Sequence, residues 1–319
     1  MSSAEAKYVD GWAEFRAISA KLKKRFMRKP NLSEASRQFQ QLSTRFADDE
    51  CLSYAALSQL ASARCSHQVG DVAAECDGLS KAARFFMKAE LENDHYNMPS
   101  FAEDLISAIH CYGHAIKAHS EARRFGLAGG LCLELGQHLH KLEKHSEAVE
   151  YLDKASRLFQ EQPVARARAL QQLAFCQTEL SEFRNALRTV DALAELATQC
   201  DLRELCCKAE MATVLLLILH DAPFERLSRR HAALLRLYAP DALPPTAADT
   251  VEPAKSALGR ESQLSLESFC IAALEWKDAA AADRALSQCL LADLDPYLAF
   301  LAVDIVEKLY EEELHDDDD

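Results

Sequence analysis

Leu135-Gly-Gln-His-Leu139, followed by Ala148-Val-Glu-Tyr-Leu152-Asp-Lys-Ala155, decides how this chain folds. Ala148, Leu152, Ala155 and Phe159 step by four, three and four, which places them on one face of a helix. The pattern then returns. Leu135, Gly136, Ala148, Leu152 and Ala155 map onto Leu173, Ala174, Ala186, Val190 and Leu193 with a shift of 38 at every pair. The small residues carry a physical message. Gly136, Ala148 and Ala155 fall where two helices cross, and a larger side chain there would hold them apart.

Leu-Gly, a leucine at Leu139, then Ala148 and Ala155, resemble the tetratricopeptide pattern in degenerate form. The same helical period extends outward over nearly the whole chain. Helices are expected at 6–28, 32–47, 50–68, 71–92, 101–119, 121–142, 146–161, 164–180, 182–199, 201–220, 223–238, 254–276, 278–291 and 296–314. Asn31 with Glu34, and Ser100 with Glu103, are spaced as capping boxes. Asp295 before Pro296 reads as an N-cap with proline at the first helical position, and Pro223 reads as a helix start. Short connections between so many helices favour antiparallel neighbours. The expected fold is therefore an all-α, tetratricopeptide-like α-solenoid of antiparallel helix pairs. The expected organisation is a helical array over 1–238, a proline-containing linker at 239–253, and acidic helices over 254–319 packing on the same solenoid.

Composition agrees. Gly and Pro number 9 each in 319 residues, too few for the turns of an all-β chain, and 49% of residues are hydrophobic. The most apolar run, Met211 to Leu219, is about half of the roughly 20 residues a bilayer helix needs, so it reads as a helix buried on all sides. Eleven Cys without a C-x-x-C pair point to a reducing, cytosolic or nuclear home and to packing roles. Net charge is −14, of which residues 261–319 carry −13; the first 30 residues carry +5. The acidic balance argues against nucleic-acid binding.

Signatures of catalysis are absent from the sequence. There is neither a G-x-x-x-x-G-K-[ST] loop nor a G-x-S-x-G elbow. Gly126, Gly129 and Gly130 read as close helix packing or a loose turn. His110, Cys111, His114 and His119 include one pair, His110 and His114, on a single helix stripe, but His119 turns away and no carboxylate lies in the run. No metal and no cofactor is expected. The run Lys21-Leu-Lys-Lys-Arg-Phe-Met-Arg-Lys29 reads as a cationic amphipathic helix, serving as a nuclear-localisation signal or as a docking patch.

That run, continued by Pro30-Asn-Leu-Ser-Glu-Ala35, resembles the huntingtin-associated forty-kilodalton protein family, also called the factor VIII intron 22 protein family. Leu131-Cys-Leu-Glu-Leu135 and Val214-Leu-Leu-Leu-Ile-Leu219 add to the likeness, which follows chain order from about residue 12 to beyond 290. The chain departs from the vertebrate pattern in lacking a Gly/Ala-rich leader and a long proline-rich insert near Gln199 to Leu202. The resemblance implies a non-enzymatic subunit that stabilises huntingtin in a heterodimer, clasped between its HEAT-repeat arrays. It also implies early-endosome association through a Rab-type GTPase and a role in vesicle motility. The competing reading is a free tetratricopeptide adaptor for peptide tails or chaperones. That would need Lys, Arg and Asn gathered on inner helix faces, and the best repeat pair shows no such clamp. The residues expected at a partner surface are Lys21, Lys23, Lys24, Arg25, Arg28 and Lys29 at the basic end, and Glu267, Glu275, Asp304, Glu307 and Glu311 at the acidic end.

Overall fold

A computed structural model describes residues 10–23, 30–221, 227–242, 254–290 and 294–316. Among them the chain is all-α, with no strand. It divides into two compact units, Met1–Gln162 and Pro163–Asp319, so the expected 1–238 array is shared between both.

The first unit holds α1 (Gly11–Leu22), α2 (Leu32–Asp48), α3 (Leu52–Val69), α4 (Val72–His95), α5 (Glu103–Glu121), α6 (Phe125–Lys141) and α7 (His145–Leu158). Each helix packs on the next, as a solenoid requires. At the start, Ile18 meets Phe39 and Leu42 on α2, with Phe15 and Phe46 closing the edge. Further along, Leu135, Leu139, Ala148, Leu152 and Ala155 are all fully buried. A Cβ on Gly136 would lie 2.6 Å from Leu152 Cγ, so glycine is what lets α6 and α7 cross this closely. Gly129 plays the same part against the Phe159 ring, at 2.9 Å, whereas Gly130 has nothing within 4 Å.

The second unit holds α8 (Pro163–Glu179), α9 (Phe183–Gln199), α10 (Arg203–His220), α11 (Arg229–Tyr238), α12 (Arg260–Cys270), α13 (Ala279–Ala285) and α14 (Pro296–Asp316). α12 and α13 each run on into a π-helical stretch, Ile271–Trp276 and Leu286–Leu290. Leu173 and Ala174 on α8 and Ala186, Val190 and Leu193 on α9 are buried, so the 38-residue copy packs as its template does. α10 is the hub. Met211 to Leu217 are buried without a break, against α9, α11 and α14. The apolar run is therefore satisfied within the unit.

One joint recurs. After α2, α3, α4, α5, α6, α8 and α9 the chain turns through one left-handed residue: Glu50, Gly70, Asn97, Arg123, Glu143, Ser181 and Asp201, with φ between 50° and 83°. In each the next amide reaches back five residues, as Lys144 N–H to Leu139 C=O at 2.9 Å and Leu202 N–H to Ala197 C=O at 2.9 Å. These are Schellman closures, and they satisfy the carbonyls that a helix end would otherwise strand. Gln199 to Leu202, where relatives were expected to carry an insert, is one of them.

Four sequence expectations need correction. Ser100 does not cap α5. Its hydroxyl accepts from Ala102 N–H at 2.9 Å and donates to Glu90 at 3.3 Å, so the chain turns at left-handed Ala102 and the helix starts at Glu103. α12 starts at Arg260 rather than 254, because the preceding backbone hydrogen-bonds elsewhere: Ala254 N–H to Ala233 C=O at 3.1 Å and Ala257 N–H to Glu210 at 2.8 Å. α11 starts at Arg229, capped by Ser228; Pro223 lies outside the described residues. α1 ends at Leu22 and Lys23 is extended, so the first helix does not run on through Lys23. The other caps are as expected. Asn31 accepts from Glu34 N–H at 3.1 Å and Asp295 from Leu298 N–H at 3.0 Å.

Candidate functional site

α14 is built to face two ways. Leu298, Leu301, Ala302, Ile305, Val306 and Leu309 repeat at helical spacing and are buried in the second unit. The opposite face carries Val303, Glu307, Tyr310, Glu311 and Leu314, at steps of four, seven, eight and eleven from the first. Val303 is 42% exposed, Tyr310 41% and Leu314 68%. An acidic stripe would by itself be an ordinary solvated face. Here apolar side chains stand exposed between the carboxylates, on a helix anchored from behind.

The acidic residues expected at a partner surface fall into two groups. Glu307 and Glu311 are exposed on this outer face. Asp304 is half-buried, 3.7 Å from Lys308, whose ammonium sits 4.7 Å over the Phe183 ring. Glu275 accepts from Asp241 N–H at 2.9 Å, and Glu267 is half-buried on α12. Nearby Glu313 accepts from Ala279 N–H at 2.7 Å. Glu275 and Glu313 thus hold the unit together. At the basic end, Lys21 and Lys23 are exposed, and Lys21 reaches Gln38 at 3.5 Å. Lys24, Arg25, Arg28 and Lys29 lie outside the described residues.

The histidine run separates as its helical spacing requires. His110 and His114 line a cavity of about 590 Å³ together with Arg64 and His67 of α3 and Glu75 of α4. His119 is buried on another side of α5, where burial, and then Arg124, lower its pKa. Cys111 is buried under the cavity, which pushes its thiol up to about 11. Cys132 also rises to about 11 by burial. These thiols are packing groups, not nucleophiles.

α4, α5 and α6 are locked together by one charged cluster. Glu134 receives Arg84 through two bonds of 2.7 and 2.8 Å and the Tyr112 hydroxyl at 2.8 Å. Burial alone would raise Glu134, but the Arg84 and Tyr112 hydrogen bonds outweigh it and hold the carboxyl below its usual value.

Sequence reasoning missed Val303, Tyr310 and Leu314. Their signal was present: the apolar positions of α14 are too many for one stripe.

Repeated helix pairs packed in sequence, with charged and apolar side chains exposed on their outer faces, define a helical-repeat protein. Among known proteins, the chain is 35% identical over 193 residues to the 40-kDa huntingtin-associated protein of Rattus norvegicus and equally to that of Mus musculus. The alignment takes in 60% of this chain and 51% of each relative. The chain spans about half the length of the curated relatives it matches. No family model matches it. Among the described residues no helix is long and apolar enough to cross a membrane.

Proposed function

We propose that this chain is a non-enzymatic partner of huntingtin that stabilises it as a subunit of a heterodimer. What carries the reading is the outer face of α14, an apolar and acidic surface with no covering element among the described residues. The relatives' name supplies the partner. In this reading huntingtin's HEAT-repeat arrays clasp the chain. Val303, Tyr310 and Leu314 provide apolar contact, while Glu307 and Glu311 meet a basic surface and steer the encounter. The wider role is cytoplasmic and early-endosomal, through a Rab-type GTPase that recruits the pair and alters vesicle motility.

The test is co-expression with huntingtin followed by native mass measurement and association kinetics. A one-to-one complex is expected. Glu307→Lys with Glu311→Lys should slow association at low salt, an effect that fades as the Debye length shortens to about 8 Å. Tyr310→Ala with Leu314→Ala should speed dissociation roughly tenfold or more, as loss of buried anchors does. Failure to recover any complex refutes the partner. A complex indifferent to both double variants refutes the α14 surface.

A further inference from the structure

The cavity beside His110 and His114 is a basic island in an acidic protein. The chain has 50 Asp and Glu, yet α3 contains none, and α5 contains none from Ile106 to His119. Both helices turn these faces toward the 590 Å³ cavity, whose third wall is the first half of α4. Arg64 and His67 lie three residues apart and His110 and His114 four, so each pair stands on one helix face. Between them the floor is aliphatic, formed by Leu60, Ala63 and Leu79. Glu75 is the one carboxylate in the lining, and its oxygens sit 3.0 Å from His67 Nδ1. Arg64, His110 and His114 are exposed and have no side-chain partner among the described residues.

We infer that this groove binds an extended acidic segment of a partner protein. One aliphatic side chain rests on Leu60, Ala63 and Leu79, and the flanking carboxylates accept from Arg64, His110 and His114. The groove thereby supplies, from Arg and His on α3 and α5, the carboxylate clamp that the Leu135–Leu193 repeats lack. Three observations favour this occupant. Unused donors surround an apolar floor, the pattern of an orienting polar rim over a hydrophobic seat. No three His, Cys or carboxylate donors of the groove come within 4.8 Å of one another, so the histidines do not converge on a metal. No Phe, Tyr or Trp lines the cavity to give successive bases the stacking platform a single strand uses. The site is independent of huntingtin association.

The experiment uses the full chain without huntingtin. The probe is a fluorescein-labelled short peptide alternating Leu with Asp and Glu, read by fluorescence anisotropy, against a counterpart carrying Asn and Gln. The acidic peptide should bind roughly tenfold or more tightly than the amide one, as loss of charge-assisted hydrogen bonds implies. Arg64→Ala, and His110→Ala with His114→Ala, should each weaken it roughly tenfold. Glu75→Gln should tighten it, a gain that misfolding cannot imitate; far-ultraviolet circular dichroism checks the fold of every variant. The proposal is overturned by equal binding of the two peptides or by no binding of the acidic one. It is equally overturned by affinity unchanged in Arg64→Ala and Glu75→Gln, or by displacement as efficient with single-stranded RNA. Binding that appears only after residues 311–319 are removed would assign the groove to this chain's own acidic end and refute a partner segment.

Discussion

Glu210→Ala is the substitution with the most to say about the second unit. Glu210 is buried in the middle of α10, immediately before the apolar run from Met211 to Leu219. It accepts from the Tyr238 hydroxyl, from Ser256 Oγ at 2.7 Å and from Ala257 N–H at 2.8 Å. One carboxylate thus ties α10 to the end of α11 and to the strap that leads into α12, which Cys207 Sγ also holds through Ala257 C=O at 3.1 Å. Alanine removes the acceptor from all three. Tyr238 and Ser256 lie 3.0 Å apart, so one hydroxyl can donate to the other. The second hydroxyl proton and the Ala257 amide are then left unmade in the interior. Each stranded buried donor costs about 1–3 kcal/mol, which puts the loss at about 2–6 kcal/mol. Glutamine should be milder, at about 1–2 kcal/mol, because its carbonyl can take the Ala257 amide while its NH₂ donates to the hydroxyls. The assay is thermal unfolding together with amide exchange at Ala257 and Leu258. At roughly 2–4 °C per kcal/mol, Glu210→Ala should lower the midpoint by at least about 4 °C. It should also release protection at Ala257. A midpoint within about 1 °C of the parent, with that amide still protected, refutes the reasoning.

Two further outcomes follow from the geometry. Gly136→Ala should destabilise by about 1 kcal/mol despite alanine's better helix propensity, since its Cβ would meet Leu152 at 2.6 Å, while Gly130→Ala, with open space, should be neutral or stabilising; paired chemical denaturation curves check both. Burial raises the phenol pKa of Tyr112, Tyr238 and Tyr297, so each holds its proton longer folded than unfolded. Their contribution is fully present below the unfolded value of about 10 and is lost as pH climbs past it. Stability should therefore fall from pH 10 upward, and Tyr112→Phe should reduce that slope in a pH series of melts.

The helices were legible because each buries one periodic face; Leu298 to Leu309 and Ala148 to Phe159 show it. The joints were not. Six of the seven left-handed turns use Glu, Asn, Arg, Ser or Asp where a reader of sequence looks for glycine. Starts went wrong where backbone amides found tertiary partners, as at Ala254 and Ala257, because no local pattern announces a distant acceptor. The His110–His114 pair was legible as a stripe. What faces it, Arg64, His67 and Glu75, comes from two other helices and becomes visible only when the solenoid closes its loops. On α14 the inward face was readable, but the outward Val303, Tyr310 and Leu314 were absorbed into the same apolar pattern.

The hub position of α10 sets an order of events during synthesis. Tyr238, Ser256 and Ala257, which answer its buried carboxylate, leave the ribosome after it, and α14, which covers its flank, leaves later still. At about 5–20 residues per second, the helix from Met211 to Leu219 waits several seconds with its greasy side uncovered. A nascent chain in that interval is a client for chaperones. Any message truncated before Pro296 yields a product that stays in that state, open to capture and degradation.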